Sequence, residues 1–313
     1  MTEHLQGVDQ WIRDALVAGG HSKAVEWSDA EIRRASGGEL SDASFAQTLS
    51  LASRFAPRGR LEPSAEASEA AAGLLEGWNP ERWTGLEAVR VRWVLARAAA
   101  DADSLPGAIE EAFRFADEGE LCALYRSLQF LPGPERFAWR AGEGCRTNMM
   151  SVFEANGCDT AFPVAHLDDV GWRQLCVKAL FSGAPLWRVS GFDQRVDAEL
   201  GRMALDLVEE RRAAGRSITP ELWMCLRGEP TPRALVALDA ELGGDDELSS
   251  CGAALALGRL GCQDRLRVLE ASSSGRLLET TRSALAGHHA QAAFGAVSIP
   301  EGATPTPEQA SAD

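Results

Sequence analysis

The sequence predicts an all-α fold, a stack of antiparallel helices resembling an α-solenoid of the HEAT kind, and three observations carry that expectation. Alanine, leucine, arginine and glutamate dominate while strand formers are scarce, with a single tyrosine at Tyr125; summed intrinsic propensity therefore favours helix. Breakers recur at Gly19-Gly20, Ser36-Gly37-Gly38, Pro57-Arg58-Gly59, Gly77-Trp78-Asn79-Pro80, Pro106-Gly107 and Pro132-Gly133-Pro134, leaving segments of short-helix length between them. Where a face can be traced, its period is helical: Leu200, Met203, Ala204, Leu207 and Val208 share one side, and Asp206, Glu209 and Glu210 lie elsewhere. Helices this short are not stable alone in water and must pack side by side.

The later elements follow in order. Helices are expected over Val170 to Phe181, Asp197 to Ala214, Thr219 to Leu226, Thr231 to Leu242, Asp246 to Leu260 and Asp264 to Glu270. The run Ala253-Ala-Leu-Ala-Leu-Gly-Arg-Leu-Gly-Cys262, followed by Asp264-Arg-Leu-Arg-Val-Leu269, reads as a HEAT-like hairpin whose small residues allow close helix approach. The expected organisation is a helical domain over 1–228, HEAT-like hairpins continuous with it over 229–295, and a Pro-rich disordered tail over 296–313.

Composition excludes several functions. With 45% hydrophobic residues in 313, the chain can bury a sizeable core. Its 46 acidic against 31 basic residues give a net charge of −15, a field that repels phosphate backbones, so no nucleic-acid partner is expected. Seven cysteines without a C-x-x-C argue for thiols in a reducing compartment rather than for disulfides or zinc. Residues Met1 to Trp11 carry Glu3 and Asp9 but neither lysine nor arginine, unlike a secretory signal. No window approaches a membrane span. A cytoplasmic protein without direct membrane insertion is expected.

One segment is distinctive. It begins with Cys145-Arg-Thr-Asn-Met-Met-Ser-Val-Phe-Glu-Ala155 and continues through Trp172, Gln174-Leu175, Val177-Lys-Ala-Leu-Phe181, Pro185-Leu186, Asp193, Arg195, Glu199-Leu200, Met203, Asp206, Glu210-Arg211, Ala213-Ala-Gly-Arg216 and Glu221-Leu-Trp223. Across these residues the chain resembles the EboA family, helical proteins encoded in ebo gene clusters of bacteria and some algae. It departs from the family pattern after Ala155 and at Leu207, Glu209 and Arg212, where members carry an aromatic residue, a histidine and a tryptophan. The resemblance implies a place in moving or processing a secondary metabolite. The implied partners are a membrane prenyltransferase-like protein, a metal-dependent hydrolase-like protein and a small hydrophobic metabolite.

Candidate binding residues follow from helical geometry. At 100° per residue, Arg146, Met149, Met150 and Phe153 share a face, so a guanidinium sits among apolar groups and needs an acid or an anionic ligand. One reading is a clamp for a carboxylate or phosphate, helped by Asn148 and Lys178. The other is a structural ion pair to Asp193, Glu154 or another acid, the ordinary fate of a buried charge. Lys178 stacks on Gln174 in a slot that would lower its pKa if dry, though a lysine stem more often packs while its ammonium reaches water. Among nine tryptophans, Trp172, Trp187 and Trp223 are candidates to line a groove, with core packing as the simpler reading. His166 has no triad context, His288-His289 suit a helix end better than a metal, and Gly142-x-Gly144 follows no strand. No catalytic residue, metal or cofactor is expected. The favoured function is a non-catalytic adaptor or metabolite-binding protein; the alternative is an enzyme acting on a small hydrophobic metabolite through Arg146, Lys178 and Glu154.

Overall fold

A computed structural model describes residues 3–36 and 41–298. Among these residues the protein is built from helices and short turns, and the sole β-type pairing is an isolated antiparallel bridge between Arg60 and Thr84. The chain divides into two compact units, residues 1–175 with 189–191 and residues 176–188 with 192–313. This division falls inside one helix, whereas the sequence places its boundary after residue 228.

The first unit contains α1 (Glu3–Ala18), α2 (Ser22–Ser36), α3 (Asp42–Leu51), α4 (Ala65–Leu74), α5 (Gly85–Ala100), α6 (Leu105–Phe115), α7 (Glu118–Ser127), α8 (Ala138–Gly144), α9 (Met150–Gly157), α10 (Phe162–His166) and the start of α11 (Asp169–Ser182). Its centre is α5. Thr84 caps this helix in a reciprocal box with Glu87, which satisfies two otherwise orphaned amides. Every residue from Gly85 to Ala98 is buried, because α1, α2, α3 and α7 pack around it.

A helix without a wet face is expected to be apolar all round, yet α5 carries Glu87, Arg90, Arg92 and Arg97 into the interior. Each charge is met. Arg92, 2% exposed, donates from Nε to Asp9 at 2.7 Å, from Nη2 to Asp29 at 2.9 Å and from Nη1 to the Ser28 hydroxyl at 2.7 Å. Arg90 donates to the Leu49 carbonyl at 3.0 Å and lies 3.6 Å from Glu120. Glu87 accepts from Arg126 at 2.8 Å. Burial alone pushes the Glu87 carboxyl up, but Arg126 and the Thr84 amide more than offset it and hold the pKa below its usual value. Beside these charges Trp11, Trp78, Trp83 and Phe130 form an aromatic cluster, with Trp78 centred 4.9 Å from both Trp11 and Phe130. Those tryptophans belong to the core.

The second unit holds the end of α11, then α12 (Phe192–Arg195), α13 (Ala198–Ala213), α14 (Pro220–Met224), α15 (Pro232–Leu242), α16 (Glu247–Arg259), α17 (Gln263–Ser272), α18 (Gly275–Leu285) and α19 (Gln291–Ser298). The helices expected from Val170 onward are all present, within two residues at most ends. Asp197, Thr231 and Asp246 accept from amides at the starts of α13, α15 and α16, which explains why those starts are sharp. Helix α16 is central here, buried from Ser249 to Arg259, and α14, α15, α17, α18 and α19 all pack on it. Gly252 makes the closest approach possible: a Cβ there would lie 2.7 Å from the Pro220 Cα.

The all-α expectation therefore holds. In each unit one buried helix, α5 or α16, is surrounded by others. The expected tail differs at its start, since Ala296 to Ser298 close α19, and its remainder from residue 299 lies outside the described residues, as do Gly37 and Gly38. No helix among the described residues is long and apolar enough to cross a membrane.

Replacing Arg92 by Met leaves Asp9 facing an apolar stem and Asp29 with Arg13 as its remaining cation. The substitution is expected to cost about 3 to 5 kcal/mol, read as a shift in the urea midpoint. A loss below about 1 kcal/mol would show that the two aspartates reach water without it.

Candidate functional site

Within the second unit, four segments converge on a polar cavity of about 220 Å³. Asp193 comes from α12, Arg227 from the chain just after α14, Arg259 from the last residue of α16, and His289 from the turn between α18 and α19. Local sequence explains these placements. An arginine closing a helix meets the negative end of its dipole. Gly287, at φ 91°, turns the chain after α18 in a conformation that favours glycine. Gly258 lets the His289 ring come close, since a Cβ there would stand 2.7 Å from Cδ2.

The cavity is lined by two guanidinium groups and one carboxylate. Arg259, with its side chain 3% exposed, places Nη1 2.7 Å from Asp193 Oδ1. It also donates from Nε to the Leu226 carbonyl and from Nη1 to the His289 carbonyl, each at 3.2 Å. Its Nη2 is buried and makes no hydrogen bond to any described residue. Arg227 is half exposed, lies 3.7 Å from Asp193 Oδ1 and donates to the Asp193 carbonyl. The second carboxylate oxygen of Asp193 accepts from the Gln291 amide at 2.8 Å. Burial and the neighbouring Arg259 hold the His289 pKa below its ordinary value, so its ring is neutral at pH 7.

Arg227 also lines a second cavity of about 300 Å³ with a largely apolar wall. Leu205 and Gly201 of α13, Cys225, Leu226, Ala234 of α15 and Leu260 supply that wall. Helix α13 lies close to the Cys225 carbonyl because Gly201 has no side chain; a Cβ would sit 3.2 Å from that oxygen. At the rim Arg202 is held by Glu199 and Asp206, and Arg233 by Asp206 and Glu209. Burial pushes the Cys225 thiol up to about 12, so it stays protonated at neutral pH and is not a nucleophile there.

A third group in this unit is Glu221 on α14. Burial pushes its carboxyl up to about 7, and a hydrogen bond from the Trp187 amide pulls back only part of that shift. Trp187 is tied in turn to α19, its carbonyl accepting from Gln291 Nε2 at 2.8 Å and its ring packing against Gly295.

Of the candidate binding residues named from sequence, Asp193 alone lines one of these cavities. Arg146 stands on the exposed turn between α8 and α9 and pairs with Glu143, three residues earlier. Its expected apolar face is absent because α9 begins at Met150 rather than at Cys145, so a helical wheel does not apply to it. Asn148 is exposed on the same turn, and Glu154 is half-buried on α9. Trp172 is fully buried in the core of the first unit, and Lys178 is half-buried near the end of α11. Arg146, Asn148, Glu154 and Trp172 belong to the first unit, Lys178 and Asp193 to the second. Trp223 is core, donating to the Ser249 hydroxyl at 3.1 Å. Gly144 is a packing glycine, where a Cβ would meet the Asn156 amide at 2.6 Å. Among the described residues no three His, Cys, Asp or Glu side chains are grouped to hold a metal ion.

Sequence reasoning missed Arg227 and Arg259 and took His289 only as a helix cap. The usable signal for Arg259 is a single charge inside the apolar run from Ala253 to Leu260; an arginine there has to be paired or functional.

These observations define an all-α protein whose second unit holds a small-molecule-sized apolar cavity beside an arginine-lined polar one. The particular family is shown by a family model described as metabolite traffic protein EboA, which matches residues 7–227, and the chain belongs to that family. No curated protein and no solved structure matches the chain.

Glu221 makes stability depend on pH with a defined sign. Its folded pKa of about 7 lies above the unfolded value of 4.5, so the folded state gains a proton between them. The resulting stability is complete below pH 4.5 and is lost as pH rises through 7. Ionisation then costs roughly 3 kcal/mol. Glu221→Gln should match the wild type near pH 4 and exceed it by about that amount at pH 8 in urea melts. A difference that stays flat with pH would remove Glu221 as the cause.

Proposed function

We propose that this protein is a non-catalytic carrier that binds a small amphipathic metabolite in the apolar cavity between α13 and α15 and passes it among proteins of a secondary-metabolite cluster. The carrying observation is that cavity, whose volume suits a small molecule and whose rim bears Arg202, Arg227 and Arg233. The family description, metabolite traffic, supports the same reading. The groups at the wall do not pair a nucleophile with a base: Cys225 is protonated, and Arg202 and Arg233 are engaged by acids. On this reading the protein works in the cytoplasm, beside a membrane prenyltransferase-like protein and a metal-dependent hydrolase-like protein. The enzyme alternative needs Arg146, Lys178 and Glu154 to converge on a substrate, and the engagement of Arg146 by Glu143 on an exposed turn speaks against it.

The test is to fill the cavity. Leu205→Trp places an indole where the apolar body of the ligand would lie. Protein purified from the native host is expected to carry a small molecule, detected by native mass spectrometry. The variant should lose at least nine-tenths of it while its melting temperature stays within a few degrees. Equal loading of the two proteins would overturn the proposal, and so would a wild-type protein that carries nothing.

A further inference from the structure

The apolar cavity accounts for the body of a ligand but leaves the adjoining polar cavity unexplained. We infer that the polar cavity binds the carboxylate of an amphipathic metabolite, with Arg259 and Arg227 as its anion-binding pair. This rests on the carrier reading above and deepens it by assigning the class of ligand.

Three observations converge. The first is Arg259, which lines the cavity with a side chain only 3% exposed and whose buried Nη2 is bonded to no described residue. A buried guanidinium nitrogen without an acceptor is costly; Asp193 Oδ1 beside it is likewise buried without a hydrogen bond, so the pair is poorly aligned and open to rearrangement when an anion enters. The second is charge. Arg227 and Arg259 bring two positive charges and Asp193 one negative, so the cavity carries one net positive charge while His289 is neutral. A monoanion neutralises it. Asp193 disfavours a dianion such as a phosphate monoester, because a second negative charge would have no cation to meet. The third is position. Arg227 lines both cavities, and the intervening chain is held by the bond from Arg259 to the Leu226 carbonyl. A molecule with an apolar end and an acid end therefore meets matching surroundings on either side of Arg227.

The roles differ. Arg259 is fixed by the Leu226 and His289 carbonyls and by Asp193, so it is preorganised to donate without losing rotamer freedom. Arg227 is half exposed and is the group an incoming anion reaches from solvent. Asp193 competes with the ligand for both guanidinium groups, which sets the affinity at a level that permits release.

The test compares 3-phenylpropionate, 3-phenylpropanol and 2-phenylethyl phosphate by isothermal titration with the full chain at low salt. The carboxylate is expected to bind at least about tenfold tighter than the alcohol and tighter than the phosphate. Arg227→Met should remove most of the preference for the acid over the alcohol. Asp193→Asn gives the decisive result, since deleting the competing carboxylate should tighten 3-phenylpropionate about fivefold or more and leave the alcohol unchanged. Arg259→Lys should retain part of the preference, and serves in place of Arg259→Met, which would strand Asp193. Equal binding of acid and alcohol overturns the anion site while leaving the carrier reading to its own test of co-purified ligand. Tighter binding of the phosphate overturns the assignment to a carboxylate. Weaker acid binding in Asp193→Asn overturns the inference, because Asp193 would then not be competing with a bound carboxylate. No binding of any of the three overturns the inference.

Discussion

The contact on which most of the first unit depends is the set of hydrogen bonds that Arg92 makes to Asp9, Asp29 and Ser28. Helix α5 is dry from Gly85 to Ala98, so an arginine on it cannot extend its charge to solvent as surface arginines do. The acids must come to it. Asp9 lies on α1 and Asp29 on α2, and a single side chain therefore fixes where both helices dock. Glu87 does the same for α7 through Arg126. A wholly apolar helix would bury as well and cost less to desolvate, but it would tolerate rotation and sliding of its neighbours. Paired charge converts a greasy axis into one with a defined register.

The second unit applies the same plan with smaller residues. Glycine and alanine along α16 draw α14 within backbone contact, and the only charge buried near its end is Arg259. In the first unit Arg92 has every guanidinium nitrogen engaged by Asp9, Asp29 or Ser28. Arg259 is absorbed only in part, which separates a charge that holds the fold from one with donor capacity left over. The contrast between Arg92 and Arg259 is more informative than the burial of either, since both are equally hidden from water.

Much of the helix order was legible because it is local. Starts at Asp197, Thr231 and Asp246 are visible as capping residues ahead of periodic segments. The start of α9 was not, because Met149 offers no side-chain cap; extending the helix back to Cys145 put Arg146 on an apolar face that does not exist. The site was legible only at Asp193, through family resemblance. Arg227 lies 34 positions from it and Gln291 lies 98, and no periodicity links residues that far apart. The same limit hid Arg92, whose acids are 83 and 63 residues upstream. Read locally, Val89-Arg-Val-Arg92 looks like a half-wet helix face rather than the centre of a core.

Those separations give the fold a temporal order during synthesis. Asp9 leaves the ribosome before Arg92 exists, and at about 5–20 residues per second the wait between them, 83 residues, lasts roughly 4 to 17 s. Through that interval α1 and α2 can form as helices and meet through Arg13 and Asp29, but Asp9 has no cation to close upon, and the face that α5 covers stays open. Nascent chains that end before Arg92 are held in this unlatched condition, a defined window in which chaperones or proteases can act on them.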